Sequence, residues 1–478
     1  MRGRPPLPAG PFLVVGLARS GAAAALALQA RGLRVRGVDA GQPAGVDELR
    51  ERGIEVQVGG EEDRMLDGVG TVVKSPGVPA DAPLIAQARA RSIPVVGELE
   101  LAWRMLPSRF VAVTGTNGKT TTTELIGHLH RSAGLPVAVA GNIGNALSTL
   151  ALPQSAPTAP TIVCEVSSFQ LEDAQDFAPE AAVLLNLTPD HLDRHGSMEA
   201  YRAAKLKVFA AQGPEDIAVL PAELDLSPRE VGSPAREVRF GSGPSGRGAV
   251  YEREGSLWWE EADGPLLALD ELGLRGAHNV QNAMAAAAVC LVLGLDLEAV
   301  RAGLSDFAGV PHRLEELGRL DGVLFVNDSK ATNVASTLVA LAAFRPLAGR
   351  LAADRSAALG VPSGTGAPDG SVRRGASVHL ILGGQGKGQD FRPLQAELER
   401  SARHVYLIGE DAPVIAEALA GIGPPLHMCQ TLERAVELAR AEASPGEVLL
   451  LSPGCASFDQ FTDFEARGER FREIFSAA

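Results

Sequence analysis

Lysine is scarce in this chain: of 44 basic residues only six are lysine, at Lys74, Lys119, Lys205, Lys207, Lys330 and Lys387. Arginine fills the ordinary solvating roles. A retained lysine therefore marks a place that needs a compact ammonium, or an amine able to lose its proton. Lys74 and Lys207 read as chance survivors, whereas the other four fall in segments that already look like sites. Cysteine is scarcer still. Cys164, Cys290, Cys429 and Cys455 lie far apart with no paired spacing, which excludes a disulfide frame or a zinc knuckle and favours reduced thiols in the cytoplasm. Positive charge is also short: the net charge is −14, so the basic footprint of a nucleic-acid binder is missing. No long apolar run exists; the longest, residues 283–295, falls short of the roughly 20 residues a bilayer span needs. The apolar run near the start passes straight into a glycine turn and is read as a first strand, not a secretion signal. A soluble, monomeric cytoplasmic protein without membrane insertion is expected.

What the chain does have is core. Hydrophobic residues make up 45% of its 478 residues, and at about 150 residues per domain three domains are expected. From residue 11 to 98 the pattern alternates β and α: FLVVG, an Ala-rich helix, LRVRGVD, TVVKSPGVP and IPVVGE. Such alternation implies a parallel sheet covered by helices. The turn GLARSG at 16–21 is a near miss to a dinucleotide fingerprint, with Asp39 placed to meet a sugar hydroxyl. Two readings stay open there: a phosphate on the helix N-terminus, or glycines that only permit tight packing.

A second α/β unit opens with RFVAVTGTNGKTTTTELIGHL, a strand, a glycine loop and a helix starting near Thr120. The loop resembles a P-loop shortened by two residues between Gly115 and Gly118. Backbone N–H groups at the helix start can cradle phosphate oxygens, Lys119 supplies a point charge, and the Thr120 hydroxyl can meet Mg²⁺. The strand TIVCEVSSFQL places Glu165 at a strand end, where carboxylates hold a nucleotide's magnesium. NLTPDHLDRH brings Asp190 and His191 to the same sheet edge, and Ser197 caps the helix that carries Lys205. In GAHNVQNAMAA, Asn279 and Asn282 lie one helical turn apart, and two readings stay open: both face one ligand, or both are capping amides.

GVPHRLEEL reads as a hinge, with Pro311 stopping the preceding helix and Arg313 following. A third α/β unit runs through VLFVNDSKATN, VHLILGGQGKGQDF, HVYLIGED and EVLLLSPGCASFDQF, which places Asp328, Lys330, Thr332, Lys387 and Ser457 near one crevice beyond the strand ends. Residues 350–377, rich in Gly, Ser, Pro and Arg, read as a surface loop.

Taken together, TGTNGKTT, VKSPGVP, EVSSFQLE, NLTPDHLDRH, YRAAKLKVF, GAHNVQNAMAA, GVPHRLE, NDSKATN, GGQGKG and SPGCASFDQF resemble the Mur ligases over nearly the whole chain. The match is best to the member that joins D-glutamate to UDP-N-acetylmuramoyl-L-alanine. The resemblance implies an α/β protein of three domains: a Rossmann-like N-terminal one for the UDP substrate (1–98), a central P-loop ATPase with a mixed sheet (99–309), and a Rossmann-like C-terminal one for D-glutamate and nucleotide (310–478). It implies ATP and two Mg²⁺ sites. Lys119, Glu165, His191 and Lys205 would be catalytic, and Thr120, Glu165, His191 and a CO₂-carbamylated Lys205 would hold metal. Thr116, Asn117, Gly118, Lys119, Thr120, Thr121 and Thr122 would bind the phosphates. Asn279, Asn282, Arg313 and Asp328 would hold the rest of the nucleotide. Arg19, Ser20, Asp39, Ser75, Pro76, Gly77, Asn142 and His191 would meet the UDP-sugar. Lys330, Thr332, Lys387, Ser457, Phe458 and Phe464 would line the D-glutamate pocket. Ala40 and Gly41 depart from the family's usual Thr-Arg, Phe458 replaces a smaller aliphatic, and the 350–377 segment has no family counterpart. A nicotinamide-dependent oxidoreductase, suggested by Gly16, Gly21 and Asp39, is the rival from another class.

Overall fold

The computed structural model describes all residues except 1–2, 44, 61–62, 143, 154–160, 245–247, 275, 345–376, 387 and 478. Most of the 350–377 segment, and Lys387, lie outside the described residues. Helices and strands alternate along the chain, and among the described residues the strands form three sheets.

The first sheet contains β1 (Phe12–Val15), β2 (Val35–Asp39), β3 (Glu55–Val58), β4 (Thr71–Lys74) and β5 (Val95–Gly97), in the order β3-β2-β1-β4-β5 and parallel throughout. FLVV is buried at every position, as expected of a strand covered on both faces. Gly16 and Gly21 are needed for packing: a Cβ on Gly21 would sit 1.7 Å from the Gly16 carbonyl oxygen, and Gly16 has φ +84°. Gly21→Ala must push the helix Arg19–Gln29 off β1. We expect it to cost about 1–3 kcal/mol in chemical denaturation, and a neutral result would contradict the contact.

The second sheet contains β6 (Arg109–Thr114), β7 (Val137–Gly141), β8 (Thr161–Glu165), β9 (Ala181–Leu184), β10 (Ile217–Pro221), β11 (Arg236–Gly241), β12 (Val250–Arg253), β13 (Ser256–Trp259) and β14 (Pro265–Ala268). Its order is β14-β13-β12-β11-β10-β9-β6-β8-β7, parallel except for the antiparallel ribbon β12-β13-β14. Register aligns the carboxyl ends of four strands: Val113 opposite Glu165, Gly141 opposite Glu165, and Thr114 opposite Leu184. That row is where the loops carrying chemistry emerge.

The third sheet contains β15 (Glu315–Leu320), β16 (Val323–Asn327), β17 (Val378–Gly383), β18 (Ala402–Ile408), β19 (Leu426–Gln430) and β20 (Val448–Leu451), ordered β15-β16-β20-β17-β18-β19. Two of these strands escape the sequence reading. β15 pairs antiparallel with β16 across Asp321-Gly322, both at positive φ, a hairpin turn that the Asp-Gly pair could have disclosed. β19 lies at the other sheet edge, with residues such as Met428 and Gln430 exposed, so it lacks the apolar run of its neighbours.

Contacts group the chain into two compact units, Met1–Gly273 with Asn279–Phe307, and Leu274–His278 with Ala308–Ala478. The first two sheets therefore share one unit. Pro311 does not stop the helix before it: Leu297–Asp306 ends at its C-cap Phe307, four residues earlier, where the chain turns extended.

Candidate functional site

In the first unit the shortened loop lies between β6 and the helix Lys119–Ser132, which starts one residue before its expected position. Gly115 and Gly118 both take positive φ, and a Cβ on Gly118 would lie 2.2 Å from Asn282 Oδ1. Asn282 thus packs directly on the loop. It donates to Asn279 Oδ1 at 3.0 Å, both being buried, so the two amides do share one face. Lys119 Nζ donates to the carbonyls of Gly115 (3.0 Å) and Thr116 (2.7 Å), folded over its own loop. Thr121 and Thr122 are buried in the first turn of the helix.

Glu165 is the centre of the row. Its Oε2 accepts from the Thr120 hydroxyl at 2.8 Å and its Oε1 from Asn142 Nδ2 at 2.8 Å. Lys205, at 2% exposure, arrives from the helix Met198–Ala210, whose N-cap Ser197 accepts from Ala200 N. Its Nζ donates to the Gly115 carbonyl at 2.7 Å and lies 4.8 Å from the Tyr201 ring centroid. Burial, and next the charge of Lys119, pull this amine down to about 7. A lysine held near neutrality is what an amine-based modification requires.

His191 takes φ +51° at the start of the short helix Leu192–His195, with its half-exposed ring 4.9 Å from Phe169. Behind it, His195 stacks on Phe169 (5.5 Å) and approaches Tyr201 (5.2 Å), and its pKa is lowered chiefly by burial. Arg194 caps the Phe169 ring at 4.0 Å while bonding Glu172 at 3.1 Å. Tyr201 and Thr116 share a hydrogen bond of 3.0 Å, which links this aromatic group to the loop.

The sequence reading missed Asn186. Its Oδ1 accepts from Thr116 N (3.1 Å) and Asn117 N (2.8 Å), and its Nδ2 donates to Asn117 O (3.0 Å), so one amide clamps the loop backbone. A polar residue just beyond a buried strand was the available signal.

At the first sheet, six of the UDP-side candidates lie where β1, β2 and β4 end, while Asn142 and His191 lie at the second sheet. Arg19 and Ser20 open a helix whose N-cap, Ala18, offers no side-chain hydrogen bond. Asp39 is not idle: its Oδ2 accepts from Leu17 N at 2.6 Å and its Oδ1 from Gly41 N at 2.8 Å. Ser75, Pro76 and Gly77 follow β4, and the missing Cβ of Gly16 would meet Val78 Cγ2 at 2.6 Å and Ser75 Cβ at 2.9 Å. Lys74 contradicts the chance reading. It is fully buried, 2.8 Å from Asp173 Oδ2 and 2.8 Å from the Val78 carbonyl. Lys207 also has a partner, the Glu172 carbonyl at 2.5 Å.

In the second unit, loops after β16 and β20 converge. Asp328 accepts from Ser452 Oγ at 2.7 Å and from Leu314 N at 3.1 Å, yet burial pushes its carboxyl up to about 7. Burial, with the charge of Arg313, takes His278 down to about 4. Lys330 Nζ lies 5.5 Å from the Phe464 ring; Ser457 is buried, while Thr332 and Phe458 are exposed. The buried Arg467 guanidinium, also unforeseen, donates to Ser329 O (2.8 Å), Cys455 O (3.1 Å) and Ala456 O (3.4 Å), joining the two loops.

Among the described residues no group of three His, Cys, Asp or Glu is placed to hold a metal ion. The donors at Glu165 are hard oxygens, one carboxylate and one hydroxyl, which fits Mg²⁺ completed by phosphates and water rather than a protein-only cage.

A strand-end carboxylate bonded to the hydroxyl of a shortened P-loop, followed along the chain by a further largely parallel α/β sheet, is the architecture of a nucleotide-binding α/β protein. The Mur ligase middle domain matches residues 113–290, the Mur ligase MurD-like N-terminal domain residues 11–97, and the Mur ligase glutamate ligase domain residues 370–455. The chain belongs to the Mur ligase family. It is 40% identical to the UDP-N-acetylmuramoylalanine–D-glutamate ligase of Acidobacterium capsulatum, over 97% of this chain and 96% of that one. The enzyme of the same name from Chromobacterium violaceum is 40% identical, with 97% of each chain covered. Among solved structures, the UDP-N-acetylmuramate–alanine ligase MurC of Thermotoga maritima shares the fold, with TM-score 0.57, 21% identity, and 98% and 100% of the two chains covered.

Proposed function

We infer that the chain is an ATP-dependent ligase that adds D-glutamate to UDP-N-acetylmuramoyl-L-alanine in peptidoglycan precursor synthesis, forming ADP and phosphate. Full-length likeness to enzymes of that name supports the substrates. The observation that carries the chemistry is the meeting of Lys119, the Thr120–Glu165 pair and the near-neutral Lys205 around one loop.

A carboxylate is a poor acyl donor because its oxygen leaves badly. Transfer of the γ-phosphoryl group to the L-alanine carboxylate gives an acyl phosphate, which the D-glutamate amine opens as phosphate departs. Two anions must approach, so the site has to offset their repulsion. Lys119 is near enough to the loop to exchange its carbonyl partners for β- and γ-phosphate oxygens. Asn186 keeps the loop backbone in shape, and Asn282 backs Gly118 while it and Asn279 face the nucleotide. Mg²⁺ would supply charge neutralisation on the phosphates. Thr120 and Glu165 would hold one ion; His191 and a carbamylated Lys205 would hold a second, the carbamate turning a repelling ammonium into an oxygen ligand. Arg19, Ser20, Asp39, the residues 75–77 and Asn142 would hold the UDP-sugar. Arg313 and Asp328 would hold nucleotide, and Lys330, Thr332, Lys387, Ser457, Phe458 and Phe464 would surround D-glutamate. Residues 1–98, 99–309 and 310–478 would be the three working domains. Buried thiols fit a reducing cytoplasm, where the chain would act as a monomer.

The test is turnover with UDP-N-acetylmuramoyl-L-alanine, ATP and a panel of amino acids. Phosphate release is expected with D-glutamate, and ¹⁸O placed in the acceptor carboxylate is expected in that phosphate. Release with L-alanine or diaminopimelate instead would overturn the substrate, and absence of ¹⁸O transfer would overturn the acyl phosphate.

A further inference from the structure

The loop at residues 75–78 is held from two sides. From the first sheet, the Gly16 turn closes on Ser75 and Val78 with no room for a Cβ. The Val78 carbonyl accepts from two cations, Lys74 Nζ at 2.8 Å, at the end of β4 in the first sheet, and Arg194 Nη2 at 3.3 Å, from the helix Leu192–His195 that follows β9 of the second sheet. Each cation is anchored at the same place, the end of the helix Ser168–Glu172. Lys74 pairs with its C-cap Asp173 at 2.8 Å and Arg194 with Glu172 at 3.1 Å. Arg89 reaches Asp173 at 3.5 Å from its other side. Lys74 and Asp173 are both shielded, at 0% and 4% side-chain exposure, so their bond is not weakened by solvent. Arginine is this chain's default cation, yet here a compact, fully buried ammonium meets two oxygens at once.

We propose that Lys74 is a positioning residue. It sets the loop that would meet the UDP-sugar in register with the helix that supports Arg194, His195 and, through Phe169, His191. It acts through the loop backbone and touches no substrate. The proposal rests on the ligase reading for the identity of the sugar nucleotide.

Its test is calorimetric binding of UDP-N-acetylmuramoyl-L-alanine, and separately of an ATP analogue, to the wild type, Lys74→Met and Lys74→Met/Asp173→Asn. Losing a buried charge-assisted bond is expected to weaken UDP-substrate binding about tenfold or more, with nucleotide binding unchanged. The single variant leaves Asp173 without its lysine and is expected to melt earlier. The double variant removes a buried carboxylate charge left with only the more distant, partly exposed Arg89, so its melting temperature is expected to recover while the weak binding persists. Recovery of binding together with stability would make the pair purely structural and overturn the proposal. So would unchanged UDP-substrate affinity in Lys74→Met, or an equal loss for the nucleotide. If Lys74→Met does not fold, the double variant alone decides by the same comparison. Failure of the wild type to ligate D-glutamate, with its UDP-substrate binding intact, would instead overturn the ligase reading and leave Lys74 judged by the affinities.

Discussion

Lys205→Arg is expected to lower turnover by about a thousandfold or more, the scale of losing charge stabilisation in the transition state, with the far-ultraviolet dichroism of the wild type. Guanidinium remains protonated at any working pH and cannot take up CO₂, so arginine keeps the positive charge while removing the chemistry. Wild-type activity in this variant would remove the carbamate from the mechanism. A pH dependence follows with a definite sign. The Lys205 amine, lowered to about 7 by burial and then by Lys119, is protonated below that value and a free base above it. Uptake of ¹³C-labelled CO₂, read as a carbamate carbonyl resonance, is therefore expected to grow as pH rises through about 7 and to vanish in Lys205→Arg. A wild-type protein showing no such resonance on the alkaline side would contradict the assignment.

Lys119→Ala is the second large effect. If the ammonium that folds over Gly115 and Thr116 serves the phosphates as proposed, its removal would leave the β- and γ-phosphates without a fixed cation in the loop. The expected loss is about 3 kcal/mol in the transition state, roughly a hundredfold in kcat. Because the charge on ATP is present before and during transfer, KM for ATP is expected to rise as well, though less. Steady-state kinetics with varied ATP separate the two. A variant with near-normal kcat would show that backbone N–H groups and metal suffice without this lysine.

The two predictions differ in how they were reached. Lys119 is legible from its neighbours: a strand, two glycines, a lysine and a hydroxyl in order force the ammonium and the helix start to one place, whatever the rest of the chain does. Lys205 is different. Its sequence segment places it on a helix and, in a lysine-poor chain, marks it as a candidate, but its lowered proton affinity arises from burial and then from the charge of Lys119, which only the packing around it sets.

The chain order alone determined the α/β class, the three sheets' principal strands, and the loop-borne candidates Lys119, Thr120, Glu165 and Asp328. All of these are read from local patterns, a buried strand running into a turn or a helix. Lys74, Asn186 and Arg467 were decided by tertiary structure, since their partners lie far away in the chain: Asp173 for Lys74, residues 116–117 for Asn186, residues 329 and 455–456 for Arg467. So was the hold of Leu17 and Gly41 on Asp39, which a spacing rule reads only as a vacant carboxylate. The reason is common to all of them. Burial and the company of distant charges set what a side chain can bind or release, and neither is a property of adjacent residues.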